Sequence, residues 1–454
     1  MSTNTSFTKK EKDWILYDVA NSAYVLLATA LLSFYRDYIA PTGNLTSLWG
    51  SVNVIVAVIS LFLCPILGTL ADFSNKRKFF FLFAVGGIVS CAIMSVFSAF
   101  KGFTIAGAIF LVVYIITETC FNSSIVFYDS MLNDVTTDEK MHKVSANGYA
   151  WGYIGSCVPF IVCLILYVLG GMIIKGNVIG YTEAGEAIYQ YPFLGIAFTI
   201  CCLITAAWWL IFTLPLYKSY EQIHFLPKPE KPVHATFKRL SEVFKDLAKN
   251  KKALFFLFAF FFYIDGVHTI IKMAMSIGND LGFENFGAVK LVIALFVTQI
   301  VAFPFAILFG KLSSKFSCEK LLITCILGYT AIGVLCVFLR QEWQFWAMAV
   351  GVGMFQGGIQ AMSRSYFTKI IPAEKSGEFF GIYDIFGKGA AILGVGLIAI
   401  LSKLFPLSQP VMGMNVCLIP LPILFVIGLI LFLVSMKVSA KTDSADVTEP
   451  TTEE

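Results

Sequence analysis

Apolar residues along this chain gather into blocks about as long as a lipid bilayer is thick, and most charges fall between the blocks. Roughly 20 consecutive apolar residues cross a bilayer as a helix. Twelve blocks of that kind can be marked. Six are Trp14–Ile39, Ser47–Ala71, Phe79–Phe100, Phe103–Phe127, Ala146–Leu169 and Tyr191–Leu216. The other six are Ala253–Ile277, Gly287–Leu308, Leu321–Leu339, Phe345–Ile370, Phe379–Leu401 and Val416–Val434. Such blocks predict an all-α membrane protein with twelve transmembrane helices.

Composition sharpens this. Hydrophobic residues make up 57% of the chain and charged residues 14%, against about 25% charged in soluble domains. The net charge of +4 says less than its placement. One set of alternate loops, with both tails, carries 24 lysines and arginines, among them Lys76, Arg77, Lys78, Lys140 and Lys143; the opposite loops carry 7. The positive-inside rule then puts both termini in the cytoplasm. The first block follows "KKEKDW" and has no small-residue cleavage site behind it, so it reads as a retained helix. The eleven cysteines are scattered, without a C-x-x-C pair. That supports neither a disulfide framework nor a zinc site, and neither metal nor cofactor is expected.

The chain has a polar middle. Residues 218–252 include the stiff "PKPEKP", followed by Phe237, Leu240, Phe244 and Leu247 with lysines between them. This reads as a basic amphipathic helix on the membrane surface; its place between two spans argues against nucleic acid. The domains are then 1–217 and 253–437, each with six helices, joined by 218–252 and ending in a polar, disordered tail at 438–454. The halves look related. "GTLADFSNKRK" (Gly68 to Lys78) follows the second block and "GKLSSKFSCEK" (Gly310 to Lys320) the eighth. A weak repeat at this scale marks a transporter built of two parallel halves.

Ionisable residues inside a span cost at least about 2.5–3.5 kcal/mol, so they are usually functional or paired. Here they form stripes. Asp18 and Asn21 share a face of the first span; Glu118, Asn122 and Asp129 lie close to one face of the fourth. Asp265, His268 and Lys272 line the seventh, and Gln356, Gln360 and Arg364 repeat every four residues on the tenth. These positions are candidates for substrate binding or coupling, with Asp18 read as facing a water-filled cavity. Asp384 and Lys388 are four apart and read as a neutralised structural pair. After Gly68, Asp72 with Lys76, Arg77 and Lys78 reads as a gate latch, in which the Asp72 carboxylate can meet the N-terminus of another helix, or as an ordinary positive-inside loop. His142 and His234 read as solvated loop residues. The glycines at 148, 152 and 155, and those at 351, 353, 357 and 358, read as close helix contacts.

"GTLADFSNKRK" resembles the Gly-x-x-x-Asp-Arg-x-Gly-Arg-Arg loop of the major facilitator superfamily, with Phe73 and Asn75 in place of a basic residue and a glycine. "WILYDVANSAY", "SANGYAWGYIGS", "YIDGVHTI" and the pair "GVGMFQGGIQAMSRSYFTKIIP" and "EFFGIYDIFGKGAAILG" resemble the vacuolar effluxer family within it. Ile264, His268 and Asp129 depart from the usual residues of that family. The resemblance implies two pseudo-symmetric six-helix bundles, a central site lined by spans one, four, seven and ten, and export of small solutes such as amino acids. The expected partners are a small-molecule substrate, protons and membrane lipid, with no nucleic acid. A monomer in a bacterial inner membrane is expected; "NLT" at Asn44 is a glycan acceptor only in a secretory pathway. A sodium-coupled sugar symporter is the nearest alternative, though such proteins usually want an acid within the second span, and here none precedes Asp72. A non-transporting receptor or scaffold is another. An enzyme is disfavoured because no catalytic constellation is present.

Overall fold

In the computed structural model, the described residues are 6–34, 45–73, 75–99, 104–169, 178–181, 187–189, 193–227, 242–243, 245–280, 288–405 and 411–445. Among them twelve helices have 19 residues or more. They are α1 Lys9–Phe34, α2 Leu45–Asp72, α3 Lys76–Met94, α4 Thr104–Ser130, α5 Met141–Val168 and α6 Leu194–Ser219, then α7 Lys251–Asp280, α8 Ala288–Leu312, α9 Cys318–Val337, α10 Glu342–Ile370, α11 Ser376–Leu404 and α12 Pro420–Ala445. Among the described residues, nine of these hold a stretch long and apolar enough to cross a membrane. The other three are α1, α10 and α11, which carry Asp18, the Gln356–Arg364 stripe and Asp384. Many of the large apolar side chains, such as Phe62, Leu82 and Ile105, are exposed, as a lipid-facing surface requires.

Two features were not foreseen. A short antiparallel hairpin, β1 Val178–Tyr181 with β2 Ala187–Tyr189, lies between α5 and α6. A one-turn helix, Leu132–Val135, lies between α4 and α5. In the polar middle, Leu247 is helical and buried; Phe237, Leu240 and Phe244 of the expected amphipathic helix lie outside the described residues, as do Asn44, His234 and the final nine residues.

The chain forms two compact units. One comprises Met1–Leu63, Arg77–Tyr128 and Trp151–Glu221; the other comprises Cys64–Lys76, Asp129–Ala150 and Gln222–Glu454. In the first unit, α1 is held by neighbours of very different sizes. Gly155 of α5 leaves room for Val19, whose Cγ1 would stand 2.6 Å from an added Cβ. Trp208 of α6 donates its indole N–H to the Val19 carbonyl at 3.1 Å, and Trp14 donates to the Tyr128 carbonyl at 3.0 Å. Small residues of this kind let membrane helices approach, and buried indole and phenol groups then find partners. In the second unit, the tip of α2 and the α4–α5 segment cluster with α7 to α12.

Candidate functional site

The first unit holds Asp18, Asn21, Glu118 and Asn122. Asp18 is buried, 6% exposed. Its carboxylate accepts the Tyr128 phenol at 2.7 Å, and Tyr128 stacks on Trp14 with ring centroids 4.4 Å apart. Tyr17, one residue before Asp18, donates to Ser124 at 2.8 Å. The "WILYD" segment thus ties α1 to α4, and Asn21 turns back to the Tyr17 carbonyl. A hydrogen bond to a charged group contributes about 1.5–3 kcal/mol. Tyr128→Phe is therefore expected to lower the melting temperature of the purified protein clearly, whereas Tyr24→Phe, whose phenol bond is longer at 3.2 Å, lowers it less. Equal melting temperatures for Tyr128→Phe and wild type would remove this tie from the account.

Glu118 is placed differently. It is half-buried and accepts from Tyr24 at 3.2 Å, with Tyr114 beside the same carboxylate. Tyr24 in turn packs on Trp209 and Phe121 at centroid distances of 5.3 and 5.2 Å. A partly accessible carboxylate among phenols and aromatic faces is suited to a proton or to a cationic ammonium group. Asn122 donates to Ser60 of α2 at 3.3 Å.

The second unit holds the other candidates except Arg77, which belongs to the first. Asp72, the last residue of α2, accepts the backbone N–H groups of Gly377 and Glu378, each at 2.9 Å. These belong to the first turn of α11, where N–H groups lack intrahelical partners and the helix dipole favours negative charge. The approach is close because both helices offer glycine. A Cβ on Gly68 would stand 2.2 Å from the Gly377 carbonyl oxygen, and one on Gly381 would stand 2.7 Å from the Pro65 Cα. Lys76 lies fully buried between Asp72 at 3.5 Å and Asp134 at 3.6 Å, and donates to Ser376 at 2.6 Å. Arg77 points elsewhere, over the Tyr217 ring at 4.8 Å.

A second cluster joins α10 to the α4–α5 segment. Arg364, 2% exposed, donates to Asp129 at 3.0 Å and to both the hydroxyl and the carbonyl of Ser145, each at 3.0 Å. Its guanidinium lies 4.2 Å over the Tyr149 ring. The Ser145 hydroxyl in turn donates to the Ala361 carbonyl at 3.0 Å. His142, expected to be solvated, is buried in the first turn of α5 and bonds Ser365 at 2.7 Å. The start of the polar middle is pinned to the same place. Leu226 N–H donates to the Asp72 carbonyl, Gln222 bridges the Ala71 carbonyl and the Lys76 N–H, and the N–H groups of Ile223 and His224 donate to Asp134.

On α7, Asp265 is fully buried, His268 is half-buried and Lys272 is exposed. Gln356 and Gln360 on α10 are half-buried. Asp384 is half-buried on α11, and the Lys388 side chain lies outside the described residues, so the expected Asp384–Lys388 pair does too. Reading the sequence missed Asp134, Ser145, Gln222 and Tyr128. Ser145 had a signal, since it opens the "SANGYAWGYIGS" motif.

The comparisons with known proteins agree with this architecture. The family model described as "vacuole effluxer Atg22 like" matches residues 40–445. YxiO of Bacillus subtilis (strain 168), an MFS-type transporter, is 38% identical over 432 residues, 94% of each chain. Autophagy-related protein 22 of Coccidioides immitis (strain RS) is 23% identical over 311 residues, 62% of this chain and 47% of that protein. Among solved structures, the major facilitator superfamily transporter FucP in its outward conformation superposes with a TM-score of 0.68 at 12% identity, covering 94% of this chain and 97% of that one. The proton:xylose symporter XylE superposes with a TM-score of 0.68 at 11% identity, covering 93% and 94%. At such identities these two structures establish the fold, twelve helices in two six-helix bundles. The chain belongs to the vacuole effluxer Atg22-like family, and it is a multi-pass integral membrane transporter of the major facilitator superfamily and not an enzyme.

Proposed function

We propose that the protein exports a small polar solute, an amino acid or a related metabolite, by alternating access coupled to protons. The observation that carries this reading is the Asp72 contact. A buried carboxylate holds the α11 N-terminus through two hydrogen bonds, with a buried lysine beside it and glycine on both helices. Polar contacts of this kind trade for water when a path opens, so they suit a gate that must break and re-form. The Arg364–Asp129–Ser145 cluster is a second part of that gate in this reading, which moves Asp129 and Arg364 from substrate contact to gating. The gate lies beside the lysine-rich loops, so it closes the cytoplasmic side, with both termini cytoplasmic and a bacterial inner membrane as the site. The moving parts are the halves 1–217 and 253–437, with 218–252 as the connection between them. The protein works as a monomer.

Solute and proton chemistry go to the half-buried groups. Glu118, with Tyr24, Trp209 and Phe121 around it, takes a proton or the ammonium group of the solute, and Gln356 and Gln360 offer polar contacts. The amino-acid assignment leans on the vacuole effluxer description of the family and on this carboxylate-and-aromatic setting. A thermal-shift panel of amino acids, small peptides, sugars and nucleosides at pH 5.5 and 7.5 tests it, since a ligand of the folded state raises the melting temperature. An amino acid is expected to give the largest rise, and a sugar giving it would replace the assignment. In proteoliposomes loaded with the active solute, Glu118→Gln is expected to flatten the pH dependence of efflux between pH 5.5 and 7.5. An unchanged profile in that variant would take the proton away from Glu118.

A further inference from the structure

Residues 222–226, in the polar middle of the chain, bind two turns of the second unit at once. On the α2–α3 side, the Leu226 N–H donates to the Asp72 carbonyl at 2.8 Å and the Gln222 amide donates to the Ala71 carbonyl at 3.2 Å. The Lys76 N–H donates to the Gln222 amide oxygen at 3.1 Å. On the α4–α5 side, the N–H groups of Ile223 and His224 donate to Asp134 at 3.2 and 2.9 Å, and the His224 ring Nδ1 lies 3.0 Å from the same carboxylate oxygen. The first set occupies groups that helices leave open, the last carbonyls of α2 and the first N–H of α3. The second set ends on a carboxylate that is fully buried.

The segment is held chiefly by these polar bonds. Its side chains alternate: Gln222, His224 and Leu226 are half-buried, whereas Ile223 and Phe225 are 58% and 49% exposed. Hydrogen bonds can be traded for bonds to water at small net cost, so a segment held in this way can be laid down and lifted. The direct link between the two turns is the longer one. Lys76 stands 3.6 Å from Asp134, beyond the roughly 2.7–2.9 Å of a charge-assisted hydrogen bond, and its 2.6 Å bond goes to Ser376 on α11.

We propose that residues 222–226 are a strap that couples the two gate contacts. The α2–α3 turn carries Asp72 with its bonds to α11, and the α4–α5 segment carries Asp129 and Ser145 with their bonds to Arg364. A strap across both turns passes a shift of one to the other through a contiguous set of bonds, and the two contacts open in one step. Gln222 and His224 are positioning residues: they hold the turns and take no part in binding solute. This role rests on the reading of the two contacts as a gate.

The test reads opening at the second contact after the first is broken. Ala361→Cys, at a fully buried position beside Ser145, is alkylated in the purified full-length protein, and its peptide is followed by mass spectrometry. With the strap intact, Asp72→Ala is expected to accelerate the alkylation at least about tenfold. In the strap variant, Gln222→Ala with His224→Ala, adding Asp72→Ala is expected to accelerate it less than about twofold. A merely structural role for the strap would change the rate with and without Asp72→Ala by the same factor and leave that ratio at its full size. Leu226→Pro removes the N–H bonded to the Asp72 carbonyl and keeps the Gln222 and His224 side chains. It is expected to reduce the ratio in the same direction, and it serves if the double substitution does not fold. A full-size ratio in the strap variants overturns the strap and leaves the gate reading standing. A ratio near one with the strap intact also overturns the strap, and efflux by Asp72→Ala then decides the gate reading on its own.

Discussion

Asp72→Ala is expected to hold the gate open and cut solute efflux to less than about a tenth. The carboxylate makes two hydrogen bonds to N–H groups of α11, and bonds to a charged partner contribute about 1.5–3 kcal/mol each. Losing both shifts a two-state gate by at least about a hundredfold, since each 1.4 kcal/mol is a factor of about ten. The variant also leaves Lys76, fully buried in wild type, beside Asp134 alone of the two acids that flank it. A cysteine placed at Ala361, which is fully buried beside Ser145, reports the opening. Its alkylation, located by peptide mass mapping among the native thiols, is expected to accelerate at least tenfold in the Asp72→Ala background. Alkylation at the wild-type rate together with wild-type efflux would show that this contact is not a gate.

Arg364 carries the second large effect. Arg364→Ala takes the guanidinium away from Asp129 and Ser145, and breaking a buried ion pair by removing one partner costs about 3–5 kcal/mol. Efflux below about a tenth of wild type and a marked fall in melting temperature are expected. Lysine at this position keeps the charge but lacks the planar fork that reaches Asp129 and Ser145 together. Arg364→Lys is therefore expected to fall between alanine and wild type. A double-mutant cycle with Asp129→Asn checks the pairing: the double variant is expected to be much less damaged than the sum of the two singles. Strict additivity would mean that the two side chains act independently.

The legible parts of the sequence were those set by local physics. Block length set the helices, because a bilayer demands internally bonded segments of about 20 residues. The small glycine-rich stretches pointed to close helix contacts, as at Gly155 and Gly353. What was not legible depends on pairs far apart in the chain. Asp18 could be seen as an anomaly, but its Tyr128 partner is 110 residues away. Asp129 and Arg364 were both visible, yet each was assigned to the solute because nothing local shows that they meet across 235 residues. Of the adjacent Lys76 and Arg77, only one can face inward, and the choice is set by where α3 begins. The β1–β2 hairpin escaped because four- and three-residue strands are too short to show a period.

The central claim is that the contact between α5 and α10 must open for solute to pass. His142 and Ser365 bond at 2.7 Å across it. With cysteine at both positions, a short bifunctional methanethiosulfonate reagent can bridge α5 to α10. The decisive measurement is efflux of a mixture of the twenty amino acids from proteoliposomes holding this variant, read by mass spectrometry before bridging, after it, and after reduction. The account predicts that efflux of at least one amino acid stops on bridging and returns on reduction. Efflux that continues at the same rate in the bridged protein would contradict it.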